Sequence, residues 1–298
     1  MRYLISPAAG MLALFSTPLH AADGFDASLE VESRAVYSER TVVDGDSIEA
    51  TGIGGSLDSA FTWKNGRTAV QFDLGAATFA FADEDRDTRT SLRAVGEVSH
   101  KIAANVTVSI AVGHWDDITT LEARRTDQHA VRAEVAYENR PHRMRVATQY
   151  REREYEATTP SRGTGMRFDV DYTYRFGSWH WARVDLRAED IDSTHVRRGY
   201  ERYMVRAGYS APLDETRLWR FRPQIEWRSW EYDGRRVLDD PAASLRKDGY
   251  VAPEIGLSYG KLEGLQGRVR AAYQFRVSND PRFRSDAPYV DVRLGYRF

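Results

Sequence analysis

The chain has 298 residues, 42% apolar and 29% charged, with 42 basic against 44 acidic side chains and no cysteine. This composition excludes a disordered chain, a disulfide scaffold, a thiolate metal centre and a cysteine nucleophile. Past the first 21 residues no run of about 18 apolar residues occurs, which excludes a bundle of membrane helices. A mean hydropathy of −0.57 leaves a membrane β-barrel open, because its apolar residues alternate with polar ones.

Residues 1–21 read as an export signal. Arg2 is their only charge, Leu4 to Leu19 is largely apolar, and Leu19-His20-Ala21 offers a small-residue cleavage site. The mature chain is then expected to begin near Ala22, and the lack of cysteine suits an envelope compartment.

From there onward, segments of about 10 residues alternate apolar with polar, the signature of strands whose two faces meet different solvents. In the first, Phe25, Ala27, Leu29, Val31, Ala35 and Tyr37 face one way, and Asp26, Ser28, Glu30, Glu32 and Arg34 the other. Twelve more segments centre on residues 57, 74, 95, 110, 133, 148, 170, 185, 206, 224, 256 and 271. The last sets Val290, Val292, Leu294, Tyr296 and Phe298 against Asp291, Arg293 and Arg297. The connections alternate too. Lys64–Arg67, Lys101–Asn105, Asn139–His142, Gly177–Ser178, Pro212–Thr216 and Gly260–Leu265 are short, whereas Ser38–Ala50, Glu156–Gly163, Asp233–Gly249 and Val277–Ala287 are long and polar. The expected fold is all-β: a single 14-stranded antiparallel up-and-down transmembrane β-barrel over residues 22–298. Short turns and both termini are expected in the periplasm of a bacterial outer membrane, and long loops outside.

A soluble sandwich also alternates, but three features favour the barrel. Aromatic residues ring the apolar face at both strand ends: Trp63, Tyr137, Phe176, Trp219 and Tyr259 by the turns, and Tyr37, Tyr155, Tyr203, Trp227 and Tyr273 nearer the loops. The polar face carries Arg and Asp in mid-strand, which a sandwich core would reject. The chain ends on an aromatic, Phe298. The stretch Tyr289-Val-Asp-Val-Arg-Leu-Gly-Tyr-Arg-Phe298 resembles the terminal strand of bacterial outer-membrane proteins. That resemblance implies that Tyr296 and Phe298 signal to the barrel-assembly machinery, and that the chain is porin-like. The arginine-lined barrel is similar to the oligogalacturonate-type, oligosaccharide-specific porins, whose barrels have twelve strands. Ser278-Asn279 through Phe298 is similar to the end of the fourteen-stranded barrel in surface lipoprotein assembly modifiers, whose helical repeat domain has no counterpart in this sequence.

The polar face defines the lumen. Fourteen strands imply a backbone diameter of roughly 30 Å and about 10–15 Å of free width unless a loop folds inward. Early strands aim Glu30, Glu32, Asp58, Asp73 and Glu97 inward. Later strands aim Arg145, Arg183, Arg187, Arg206, Arg222, Arg270 and Arg293 inward, among acids such as Asp169, Asp171, Asp185, Glu226 and Asp291. Either these arginines pair with the acids and brace a plugged interior, or a surplus of them forms a basic wall. Only four basic residues are lysine, so the wall is arginine, suited to two-pronged contacts with carboxylates or phosphates. Around residue 110 the inward positions Thr107, Ser109, Ala111 and Gly113 are small, which leaves room for an inward loop such as Asp233–Gly249.

The chain shows little chemistry. His114 and His129 are expected side by side near the outer rim, on the lipid-facing parity and with no serine beside them. The other histidines lack metal-ligand spacing, and the acidic run at Asp83-Glu84-Asp85 lacks the calcium-loop pattern. There is no motif for a cofactor or metal and no face for nucleic acid. The function these residues point to is passive, anion-biased transport of small molecules or acidic oligosaccharides. The alternative is a barrel that exports a polysaccharide or displays a surface protein with periplasmic partners, and a surface enzyme comes third. The expected surroundings are outer-membrane lipids and lipopolysaccharide.

Overall fold

The computed structural model describes residues 24–298 apart from 46, 84, 157–158, 177–178, 239 and 261–262. The export signal expected over residues 1–21 lies outside them. β1 (Phe25–Ser38) leads into a small hairpin, β2 (Val42–Asp44) and β3 (Ser47–Glu49). Thirteen longer strands follow: β4 (Gly52–Asn65), β5 (Thr68–Phe81), β6 (Arg89–Ala103), β7 (Val106–Ile118), β8 (Arg125–Asn139), β9 (His142–Glu156), β10 (Ser161–Phe176), β11 (His180–Ser193), β12 (Tyr200–Pro212), β13 (Trp219–Arg236), β14 (Leu245–Tyr259), β15 (Gly264–Ser278) and β16 (Ser285–Arg297).

β1 and β4 to β16 form one closed barrel, each strand antiparallel to its neighbours, with β1 pairing both β4 and β16. All fourteen expected segments are strands. Closure removes every sheet edge, so each backbone donor and acceptor can be paired inside lipid. The seam is tight: Glu30 lies opposite Arg297, and the Phe298 amide donates to the Leu29 carbonyl at 2.8 Å. The Tyr296 and Phe298 rings pack with centroids 4.6 Å apart. β1 starts and β16 ends beside short turns, so both ends of the barrel chain lie at one rim, here termed the turn end.

The apolar parity faces outward. Ile53 is 67% and Ile110 61% exposed, and Phe72, Leu74, Val112, Phe168, Leu186, Ile255 and Leu294 join them in a continuous band. A band this large is an interface with lipid. Trp63, Tyr137, Phe176 and Trp219 edge it at the turn end, and Tyr37, Tyr203, Trp227 and Tyr273 toward the loops. Tyr155 is a correction. It is 1% exposed and sits inside the barrel, because it shares the parity of Arg151 and Arg153 on β9. The Arg198 guanidinium covers its ring at 5.3 Å.

Candidate functional site

The loop connecting β1 to β4 does not stand over the rim; it turns into the barrel. Gly45, at φ +61°, lets β2 and β3 turn tightly. The Val43 amide donates to Gln274 Oε1 at 2.9 Å, and Gln274 Nε2 donates back to the Val43 carbonyl at 3.0 Å. Arg228 donates to the Gly45 carbonyl. Asp44 takes Arg270 at 2.6 Å, the Tyr289 hydroxyl at 2.9 Å and Arg34 at 3.3 Å. Burial alone would raise the Asp44 carboxyl, but the Arg270 and Arg34 guanidinium groups outweigh it and hold Asp44 well below the usual carboxylate range.

Apolar contacts complete the plug. Val43 joins Leu121, Ile191, Tyr200, Trp230, Tyr232 and Tyr250 in one cluster, and Val42 joins Val36, Phe79, Ala287 and Tyr289 in another. A second loop, residues 119–124, also dips inward. Its Glu122 carboxylate is fully enclosed, 2.8 Å from Arg202 and 3.6 Å from Arg153. Glu189 takes Arg151 at 3.0 Å, Arg202 at 3.2 Å and the Tyr200 hydroxyl. Here the barrel has a core of its own, held by charge-assisted bonds that offset the desolvation of the five charged groups Glu122, Glu189, Arg151, Arg153 and Arg202.

The inward loop is therefore not Asp233–Gly249. β13 runs on to Arg236 and β14 starts at Leu245, so that segment extends the wall as a hairpin, with a register shift between Glu231 and Arg236. The space beside small residues on β7 has another occupant. A Cβ at Gly113 would lie 2.5 Å from the Trp115 ring, which folds back over it. The loop's own signal in the sequence is apolar: Val42, Val43 and Ile48 have no place in a solvated loop.

Six of the seven nominated arginines sit against carboxylates. Arg145 meets Asp171 at 2.8 Å, Arg183 meets Asp171 at 3.0 Å and also Asp185, and Arg187 meets Asp169 at 2.9 Å. Arg206 donates to Glu226 through Nε at 2.7 Å. Arg270 reaches Asp291 at 3.2 Å and Glu254 at 3.6 Å besides Asp44, and Arg293 bridges Asp291 at 2.9 Å and Glu32 at 3.3 Å. Arg222 has no ion pair among the described residues, and neither does Arg220, which donates to neutral Ser210 Oγ and the Trp179 carbonyl. Arg268 has, among the described residues, only Glu254, at 4.0 Å.

The acids of the early strands are less occupied. Asp58 takes Arg93 at 2.9 Å and Asp73 accepts from Gln71 at 2.9 Å. Glu30 and Glu97 have no ion pair among the described residues. The inward side chains Asp58, Asp73, Glu97, Ser109 and Ala111 all stay half-exposed, so water reaches the β4–β7 wall. The lumen is thus packed along β9–β16 and, toward the loops, also at Phe79 and Arg89, which the inward hairpin meets, whereas the acid-lined β4–β7 wall nearer the turns stays open to water. His114 and His129 lie in register on β7 and β8 with rings stacked at 4.5 Å, exposed on the outer face.

No protein-family model and no characterised protein sequence matches the chain. Solved structures do. The outer membrane channel DcaP of Acinetobacter baumannii superposes with a TM-score of 0.56 at 11% identity, covering 93% of this chain and 99% of that one. A bacterial polysaccharide outer membrane secretin gives 0.56 at 10%, covering 91% and 98%. The anion-selective porin from Comamonas acidovorans gives 0.51 at 11%, covering 92% and 99%. The fold is that of the bacterial outer-membrane barrels. At this identity the likeness is one of architecture: lumen chemistry belongs to each chain separately.

Proposed function

We propose that this protein is an outer-membrane channel for passive passage of small anionic solutes, exported by its N-terminal signal and oriented with the turn end and both termini in the periplasm. Tyr296 and Phe298 serve in this reading as the assembly signal. One observation carries the charge preference. Among the described residues Arg220 and Arg222 have no carboxylate partner and Arg268 only reaches Glu254 at 4.0 Å, whereas the six other arginines nominated from the sequence are paired. Guanidinium groups in a narrow, partly desolvated passage raise the local anion concentration. Asp73 and Glu97 on the β4–β7 wall and Glu30 on β1 repel the same solute and so direct it toward the arginines. The inward hairpin β2–β3 restricts the width to that of ions and small metabolites or a single extended sugar chain.

The test is single-channel recording in planar bilayers under a salt gradient. The parent is expected to conduct, with a zero-current potential on the anion side. Neutralising Arg220, Arg222 and Arg268 to Gln together should move that potential toward cation preference. The shift should be largest in dilute salt, where screening extends over roughly 30 Å at 0.01 M. A parent that never conducts rejects the channel; a potential unmoved by the triple change rejects the arginine basis of selectivity.

A further inference from the structure

The same three arginines define a more specific object than a diffuse charge. We infer that Arg222 and Arg268, assisted by Arg220, form a discrete binding site for a phosphate-type oxyanion. This inference rests on the channel reading only for how the ligand arrives.

The frame comes from strand register. Arg220 on β13 lies opposite Ser258 on β14, which lies opposite Arg268 on β15; one row further in, Arg222 lies opposite Gly256, which lies opposite Arg270. The guanidinium-bearing strands are therefore two spacings apart, about 9–10 Å. Between them β14 presents a hydroxyl and a hydrogen. A Cβ at Gly256 would sit 3.2 Å from the Arg222 carbonyl and 3.4 Å from Arg222 Cβ, so any larger residue would press on the arginine stem. The gap is floored by small groups and flanked by cations.

Its electrostatics are unusual for this protein. The charged groups that act most on Arg222 are Arg268 and Arg220, both of like sign. Arg222 Nε is enclosed and has no hydrogen-bond partner among the described residues. Elsewhere in the lumen arginines repeatedly find an acid two residues along the same strand, as in Arg183 with Asp185, Arg167 with Asp169 and Arg293 with Asp291. The runs Arg220-Phe221-Arg222 and Arg268-Val269-Arg270 put a second arginine there instead. Gathering three cations costs stability, and a bound anion removes the cost. The site lies just below the tip of the hairpin, since Arg270 in its upper row is the residue that holds Asp44.

Geometry favours phosphate over carboxylate. A planar carboxylate presents two oxygens in one plane and is satisfied by one guanidinium fork, whereas a phosphate dianion offers oxygens in several directions and can be gripped from β13 and β15 together. The ligand is inorganic phosphate or the phosphate of a small phosphorylated solute.

Equilibrium titration calorimetry on the purified barrel in detergent tests this without requiring conduction. The probes are inorganic phosphate, glucose 6-phosphate and glucuronate. The parent should bind one or both phosphate ligands at least tenfold more tightly than glucuronate. Tighter binding of glucose 6-phosphate assigns the site to phosphorylated solutes, and tighter binding of inorganic phosphate assigns it to the free ion. Arg222→Gln with Arg268→Gln should weaken binding at least tenfold while the barrel keeps its heat-resistant folded mobility on gels. Arg222→Lys, which keeps the charge and loses the fork, should fall between. Phosphate binding in a barrel that does not conduct would overturn the channel and keep the site. A conducting barrel that binds no phosphate ligand, or binds glucuronate equally well, would overturn the site and keep the channel.

Discussion

The two halves of the barrel wall solve the same problem differently. Apart from Arg220, Arg222 and Arg268, the inward charges named on β9–β16 are held in networks with one another and with two inward loops: Arg151, Arg153, Arg202 and Arg228 are fully buried. The acids Asp58, Asp73 and Glu97 on β4–β6, below the hairpin, face water and hold few partners. The first arrangement behaves like the core of a soluble protein, where removing one partner leaves a buried charge uncompensated. The second behaves like a surface. The difference separates structural charge from charge left available to a solute, and the channel proposed above draws on the latter together with the arginine triad.

The contrast predicts its largest effect in stability. Glu189→Ala removes the buried carboxylate that Arg151 and Arg202 both meet, and should lower unfolding stability in lipid or detergent by about 3–5 kcal/mol. Glu97→Ala on the open wall should stay within about 0.5 kcal/mol. Equal costs, measured by denaturant unfolding, would show that the two walls are not different in kind.

Next in size is a change on the outer face. Leu294→Arg places a charge in the lipid band and should cost about 2–4 kcal/mol if the position lies near the bilayer midplane. A variant as stable as the parent would mean that the exposed band does not meet lipid.

The smallest effect concerns pH and the hairpin. Asp44 in the folded barrel ionises well below an ordinary carboxylate, whose value is about 3.9. Its contribution to seating the hairpin is therefore complete above about pH 4 and is lost only as pH falls through the depressed folded value. Conductance should be flat from about pH 8 to pH 4 and rise in stronger acid as the hairpin loosens. A rise near pH 6 would show that another group holds the hairpin.

The strands were legible because two solvents impose a period of two on every segment, and strand count, turn alternation and the seam at Phe298 followed from it. Tyr155 was misplaced because an aromatic at a strand end suggests an interface before its parity is checked. The hairpin was harder to read: Val43 and Gln274 are 231 positions apart, and nothing local links them. Much of the arginine pairing was available in principle, since Arg145 and Asp171, and Arg206 and Glu226, are direct cross-strand partners. Using it needed the register, which turn lengths alone do not fix. Glu122 gave no signal, because an acid in a polar loop looks solvated until the loop folds inward.

The absence of native cysteine allows the central claim, a water-exposed acid-lined face across from a packed wall, to be tested with one reagent. Ser109→Cys places a thiol on the open β7 face, and Met204→Cys places one in the packed side, where the native residue is 4% exposed. A charged, water-soluble thiol reagent should modify the first within minutes and lower its single-channel current, while the second stays unreacted in the folded barrel. Rapid modification at position 204 with none at 109 would place the water path on the opposite wall and contradict the account.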